Sequence, residues 1–151
     1  MTARRFLPLL TVLLVLLGRT ALAGDYFESN GAAIRGYDPV AYFTDGKPTM
    51  GSDQYTYTYK GSKFLFVSAK NQKTFSKHPE KYAPQFGGFC AFGTANGVKV
   101  STQPDAFALV NGKLYLNHDT KVHALWKNDV PGNIALAEKN WPEVSQSAQK
   151  D

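Results

Sequence analysis

YTYTYKGSKFLFV, residues 55–67, is the stretch that decides the fold. Over residues 55–59 aromatic and polar side chains alternate, which is the period of a strand with one buried face. Residues 60–62, Lys-Gly-Ser, have the composition of a turn, and residues 63–67 are apolar enough to form the returning strand. The stretch therefore predicts an antiparallel β-hairpin.

A helix is predicted directly after this hairpin. Ser68 is a suitable N-cap, because its hydroxyl can accept from the first free backbone N–H groups of a helix. The helix is expected to run through Phe75 and to end before Pro79, since a residue that precedes proline is disfavoured in the helical conformation.

The same order of signals returns later in the chain. Residues 106–110 and 113–116 are predicted strands around Asn111-Gly112, which is a strong hairpin signal because both residues tolerate positive φ. Asp119 is the predicted N-cap of a helix that reaches Trp126. We therefore predict an α+β fold of short antiparallel β-hairpins covered by helices, with a hairpin-plus-helix unit used twice.

Shorter elements flank these two units. Asp38-Pro39 predicts the N-cap and first residue of a short helix, and Pro131 starts a last helix that is expected to end at Trp141-Pro142. Residues 145–151 are polar and lack an apolar period, so we predict a flexible tail there and a single domain over residues 24–144.

Residues 1–23 have the three regions of a secretory signal peptide. Arg4 and Arg5 give a positive start, residues 6–17 are apolar, and residues 21–23, Ala-Leu-Ala, place small side chains at the cleavage site. The apolar run is shorter than the roughly 20 residues that cross a bilayer, which favours a cleaved Sec-type signal over a retained anchor. We expect a periplasmic or secreted protein that does not contact the membrane after cleavage.

Charge and cysteine content narrow the possible functions. The 17 basic residues include three in the signal, so the remaining chain is close to neutral against its 12 acidic residues, and no nucleic-acid partner is predicted. The chain has one cysteine, so no disulfide can form within it and its stability must come from packing.

That cysteine, Cys90, lies in FGGFCAFG, residues 86–93. A glycine-rich turn can bring backbone N–H groups to the sulfur, which would lower the pKa of the thiol and make it a redox nucleophile. The alternative is that Cys90 is a buried core residue, and residues 89–92 also alternate as a strand would. The predicted supporting loop consists of Gly87, Gly88, Phe89, Phe92 and Gly93.

Few side chains are available as further metal ligands. His118 and His123 are five residues apart and would not share a helix face, while His78 is expected in solvent and Met50 in a loop. Each is expected to be an ordinary residue. A closed zinc site needs four ligands, so the candidate metal is copper as Cu(I), held by Cys90 and a second ligand that the sequence does not identify.

Two groups of motifs resemble those of YHS-domain proteins. The wider family is indicated by GYDPVAYF at residues 36–43, by YKG at 59–61 through Phe66, and by Phe75 through HPEKY at 78–82. The exported single-domain branch is indicated by GGFCAFG at 87–93 and GKLYLN at 112–117. The resemblance covers about residues 34–141 and implies a small α+β domain, often linked to heavy-metal handling. Some members of the exported branch are described as carrying selenocysteine at the position of Cys90, which implies redox chemistry there.

The metal-binding cysteines of the wider family are absent. Metal-handling YHS domains carry cysteine at the positions that read Ala41, Val67 and Asn71 in this chain. None of these side chains binds a soft metal as a thiolate does, so that metal site is not carried over.

Three functions remain open from the sequence. In the first, Cys90 performs thiol redox chemistry with an external thiol or protein partner, because the chain has no resolving cysteine. In the second, Cys90 binds copper together with a histidine or methionine, within one chain or across a homodimer. In the third, the protein is a non-catalytic interaction module in which Cys90 fills the core.

Overall fold

The structure, a computed structural model, describes residues 24–151. The predicted signal peptide lies outside these residues. No helix among the described residues is both long enough and apolar enough to cross a membrane.

The first half of the chain contains the first predicted unit and a short helix before it. Its elements are β1 (Glu28–Ser29), β2 (Ala32–Ala33), α1 (Pro39–Thr44), β3 (Ser52–Tyr59), β4 (Ser62–Phe66), α2 (Ala69–Lys77) and α3 (Pro79–Tyr82).

The second half repeats this order with shorter elements and ends in a longer helix. Its elements are α4 (Ala91–Ala95), β5 (Phe107–Val110), β6 (Lys113–Leu116), α5 (Thr120–Trp126) and α6 (Val130–Val144). Short 3₁₀ turns occur at 34–36, 85–88 and 127–129. The strands of the described residues pair only as antiparallel hairpins, β1 with β2, β3 with β4 and β5 with β6, which confirms the α+β prediction.

Both predicted hairpins close through turns of the same kind. Lys60 and Gly61 have φ of 46° and 78°, and Asn111 and Gly112 have φ of 50° and 73°. Positive φ at both central residues is the turn whose twist matches that of two-stranded hairpins. The two predicted N-caps are confirmed as well, since Ser68 accepts from the backbone of α2 and Asp119 from that of α5.

Strand β6 joins two hydrophobic clusters. Leu114 and Leu116 pack with the aromatic residues of the first unit around Phe75, whereas Tyr115 packs with the second cluster around Trp126. Alternate side chains of a strand point to opposite faces, so β6 is buried on both sides. The two units therefore share one continuous interior.

The last helix differs from the prediction at its C-terminal end. It was expected to end at Trp141-Pro142, but α6 includes Pro142 and continues to Val144. Val144 is 2% exposed, and its burial stabilises a final turn in which Ser145 N–H donates to the Trp141 carbonyl. Packing here outweighs the loss of one helical hydrogen bond at the proline.

The segment after α6 contacts the body of the protein. The backbone N–H of Lys150 donates to the carbonyl of Lys99 at 2.7 Å, and Gln149 forms a parallel bridge with Lys99. Ser101 N–H donates to a carboxylate oxygen of Asp151 at 3.2 Å.

Candidate functional site

Cys90 lies immediately before α4 and is 1% exposed. It is the N-cap of this helix, and its Sγ accepts a hydrogen bond from Gly93 N–H at 3.3 Å. The strand-like alternation of residues 89–92 does not produce a strand, because Cys90 ends the extended segment and the helix begins at Ala91.

A second backbone donor reaches the sulfur from the loop that follows the β5–β6 hairpin. His118 N–H donates to Sγ at 3.2 Å, from the loop between β6 and α5. The sulfur thus accepts from two segments that are far apart in the sequence. Convergence of N–H groups on the sulfur was predicted, but one of the two donors comes from outside the glycine-rich stretch.

Asn117 is the third group at the sulfur, and its amide orientation is defined by its neighbours. Phe92 N–H donates to Asn117 Oδ1 at 3.1 Å, which identifies that atom as the oxygen. The Cys90 thiol donates to the same oxygen at 3.6 Å. On its other side, Asn117 Nδ2 lies 3.1 Å from His123 Nδ1. Asn117 therefore lies between the thiol and the imidazole.

The histidine in this network is neutral at pH 7. Burial lowers the pKa of His123 below its ordinary value, and the charge of Lys127 lowers it further. A neutral imidazole has one acceptor nitrogen, so His123 Nδ1 accepts from the Asn117 amide. The network therefore runs from the thiol through Asn117 to an uncharged His123.

Opposing effects act on the thiol itself. Burial raises the pKa of the Cys90 thiol above its ordinary value, while the nearby backbone N–H groups of Gly93, His118 and Phe92 act in the opposite direction. Burial has the larger effect, and the charge of Asp119 adds to it. The prediction of a lowered pKa is therefore wrong, although the donors that would lower it are present.

A cavity of about 290 Å³ opens beside the sulfur. Its walls are largely apolar and include the side chains of Val98, Val100 and Val122. Cys90 and His118 lie in the same wall, and Asp151 borders the cavity. A small molecule or an extended side chain that entered this cavity would meet the thiol.

The predicted loop residues serve different purposes. A side chain at Gly87 would come within 2.6 Å of the Asp25 carbonyl, and one at Gly88 within 2.7 Å of Ile34, so both glycines allow close packing rather than donate to the sulfur. Phe89 packs against Phe27 and Trp141. Of the predicted loop, only Phe92 and Gly93 line the cavity together with Cys90.

The other side chains considered as metal ligands differ in their distance from the cavity. His78 is exposed and Met50 is 55% exposed, and neither borders the cavity. His118 borders the cavity, and His123 contacts Asn117. Within residues 24–151, no group of three or more His, Cys, Asp or Glu side chains is arranged to hold a metal ion. Sequence reasoning did not identify Asn117 as a site residue, although it closes the motif at residues 112–117.

Ala41, Val67 and Asn71, the positions at which the sequence resemblance implies cysteines, all contact Asp38. This side chain is fully buried and caps α1, accepting from Val40 N–H at 2.8 Å and Ala41 N–H at 3.2 Å. Val67 N–H and Asn71 Nδ2 donate to its other oxygen at 2.9 Å and 2.7 Å. A hydrogen-bonded carboxyl group thus occupies the centre of these positions.

Asp38 and Cys90 have corresponding places in the two halves. Each caps the short helix that precedes a hairpin, and each accepts from the N–H three residues later, Ala41 or Gly93. Each also accepts from the residue just before the N-cap of the next helix, 29 residues away at Val67 and 28 residues away at His118. We call Asp38 with its donors the carboxyl cap, and Cys90 with Gly93, His118 and Asn117 the thiol cap.

Comparison with known proteins identifies the first of these regions. The family model of the YHS domain matches residues 40–86, which contain all four donors to Asp38 and end before Cys90. No curated protein and no solved structure matches the chain. Residues 40–86 are therefore recognised as a YHS domain, and the thiol cap lies outside the matched residues.

Proposed function

We propose that the protein performs thiol redox chemistry through Cys90. The observation that supports this proposal is the pair of backbone N–H groups, from Gly93 and His118, that donate to Sγ at the wall of a cavity. Backbone donors stabilise a sulfur anion and the polar oxidised forms of cysteine. Asn117 Oδ1 accepts a hydrogen bond from the protonated thiol, so the thiol cap provides hydrogen bonds for both protonation states of Cys90.

The chemistry needs an oxidant and an external reductant. The Cys90 thiolate attacks one oxygen of a hydroperoxide, an S–O bond forms as the O–O bond breaks, and the leaving oxygen takes a proton from solvent. Sulfur is thereby oxidised to sulfenic acid and the peroxide is reduced to water or an alcohol. An external thiol then displaces water to form a mixed disulfide, and a second external thiol releases the Cys90 thiol and leaves as a disulfide.

The environment proposed for this reaction lies outside the cytoplasm. Residues 1–23 resemble a signal peptide, and oxidants and low-molecular-weight disulfides are common in oxidising compartments. A protein with one cysteine cannot close an internal disulfide there. The proposed reaction partner is therefore an external thiol, either a small molecule or a cysteine of another protein.

The second candidate function is copper binding, which the association of YHS domains with metal handling favours. In this case Cys90 would supply a thiolate, and His118 is the histidine that borders the same cavity. A copper ion bound by these two residues would need no further protein ligand, or a second chain would complete the site. The two backbone N–H groups that donate to the sulfur make redox chemistry the better-supported proposal.

The test uses the metal-free protein that lacks residues 1–23. The protein is treated with hydrogen peroxide in the presence of a dimedone reagent, which traps sulfenic acid, and analysed by mass spectrometry. We expect one adduct per chain on Cys90 and none in the Cys90→Ser variant. No adduct, together with Cu(I) bound at one per chain or one per two chains, would replace the redox proposal with the copper proposal. Neither reaction until the protein is unfolded would support the interaction module.

A further inference from the structure

The segment at the end of the chain, residues 148–151, lies beside the cavity that contains Cys90. Asp151 borders the cavity, and its carboxylate accepts from Ser101 N–H at 3.2 Å. Lys150 N–H donates to the Lys99 carbonyl at 2.7 Å, and Gln149 pairs with Lys99 as a parallel bridge. These contacts attach the segment along residues 99–101, of which Val100 lines the cavity.

No apolar burial supports this attachment. Every side chain from Gln146 to Asp151 is exposed, and Val144 is the last buried residue of α6. A segment held by exposed hydrogen bonds alone opens at a low free-energy cost compared with unfolding of the domain. The segment can therefore leave the cavity while the rest of the fold stays intact.

We propose that residues 148–151 form a displaceable strap that restricts access to Cys90. This inference rests on the proposed function, because it names the regulation of the same thiol. With the strap in place, the cavity has Asp151 at its edge and Cys90 is 1% exposed. With the strap released, Asp151 leaves the edge of the cavity beside Val100 and the path to the sulfur widens.

Release also changes the chemistry of the thiol. Burial is the largest effect that raises the pKa of Cys90, and it decreases when solvent enters the cavity. The donors Gly93 and His118 belong to the body of the domain and stay in place. Among the charged and titratable groups around the sulfur, only Asp151 leaves with the strap. Asp119 stays in place, and His123 stays neutral and in contact with Asn117. Strap release therefore lowers the pKa of the thiol.

The strap has an identifiable anchor. Hydrogen bonds from Gln149 and Ser101 hold the pKa of Asp151 below its ordinary value, and the charge of His118 adds to this effect. Removing the Asp151 carboxylate leaves Ser101 N–H without this partner, whereas removing the Lys150 side chain leaves the backbone bond to Lys99 intact. The two neighbouring positions therefore provide a test variant and a matched control.

The experiment measures the rate at which iodoacetamide alkylates Cys90 in the native, metal-free protein lacking residues 1–23, against pH. Three variants are compared with this protein: a chain that ends after Ser147, Asp151→Ala and Lys150→Ala. We expect alkylation at pH 8 to be about tenfold faster in the shortened chain and a few-fold faster in Asp151→Ala, with no change in Lys150→Ala. The midpoint of the pH profile should move to lower pH in the shortened chain.

Unfolding curves show whether each variant keeps its fold, which is expected because only exposed side chains are removed. Equal alkylation rates and midpoints in all four proteins would overturn the strap. This outcome is independent of the redox proposal, because alkylation needs only access to a thiolate. Conversely, fast alkylation of the shortened chain without a sulfenic acid adduct would retain the strap and reject the redox function.

Discussion

The carboxyl cap and the thiol cap are two versions of one arrangement. In both, the N-cap side chain of a short helix accepts from the loop before the next long helix, and so fixes the hairpin against the helices. They differ in the third partner. Asn71 donates its amide N–H to Asp38, whereas Asn117 presents its oxygen to Cys90.

Under the proposed function, this difference separates a structural site from a chemical one. The carboxyl group meets donors from Val40, Ala41, Val67 and Asn71, so all of its partners stabilise a single state. The thiol meets two donors and one acceptor, which suits a group that gains and loses a proton. Both side chains are buried, but Cys90 lines a cavity. If the proposed redox function holds, the same geometry supports stability in one half of the chain and reactivity in the other.

The largest expected effect is at the carboxyl cap. Asp38→Ala removes the acceptor of three backbone N–H groups and one side-chain amide in a buried place. We expect the free energy of unfolding to fall by about 3 kcal/mol, because buried donors lose their partner and α1 loses its cap. Urea unfolding followed by circular dichroism measures this change. A loss below about 1 kcal/mol would show that water replaces the carboxyl group as the acceptor. The interpretation of Asp38 as a structural residue would then be rejected.

The second expected effect is at the group that distinguishes the two caps. Asn117→Leu removes the oxygen that accepts from Phe92 N–H and from the thiol, and we expect a loss of about 2 kcal/mol in unfolding free energy. The thiol also loses the acceptor that favours its protonated form, so the pH midpoint of Cys90 alkylation should fall. A lower stability with an unchanged midpoint would make Asn117 a purely structural residue.

A smaller effect is expected at the thiol itself. Cys90→Ser keeps an acceptor at the N-cap and changes the volume little, so the expected loss in unfolding free energy is about 1 kcal/mol or less. The loss in unfolding free energy of Cys90→Ser, divided by that of Asp38→Ala, measures how far the two caps share their structural role. If Cys90→Ser cost as much as Asp38→Ala, the thiol cap would be a second structural site and the interaction module would gain support.

The smallest effect is a dependence of stability on pH. Because burial raises the pKa of Cys90 in the folded state, the unfolded chain binds fewer protons above its ordinary thiol pKa of about 8.5. The contribution of Cys90 to stability is thus complete below that pH and is lost as pH rises through the folded-state pKa. Tyr26, Tyr42 and Tyr115 also have raised pKa values and act in the same direction.

The Cys90→Ser variant isolates the cysteine from these tyrosines. Urea unfolding of both proteins is compared at pH 7, 8.5 and 9.5, and the wild type should lose more stability than the variant over this interval. Parallel curves would mean that the sulfur is not penalised by burial in the folded state.

The local elements were predictable because their signals are local. A tyrosine–threonine alternation, two turns with glycine at the second position and two helix caps, Ser68 and Asp119, act within a few residues of the chain. The end of α6 was not predictable in this way, because the burial of Val144 depends on distant packing.

The site was predictable only in part, for the same reason. Cys90 stood out as the single cysteine, and Gly93 donates within the same short helix. The contacts with His118 and Asn117 join residues 28 and 27 positions away, and no spacing rule connects them. Burial of the sulfur also depends on the complete fold, so the direction of its pKa shift was wrong when judged from nearby donors alone.

Trp126 gives this network an optical reporter. Its ring stacks on the imidazole of His123 with centroids 5.7 Å apart and planes at 22°, and the same imidazole contacts Asn117 behind the thiol. Indole fluorescence depends on the groups that contact the ring, so the emission of the buried Trp126 depends on the position of its histidine neighbour. Events at Cys90 that shift the Asn117 amide would change this emission, which allows the chemistry of a colourless thiol to be followed by light in real time.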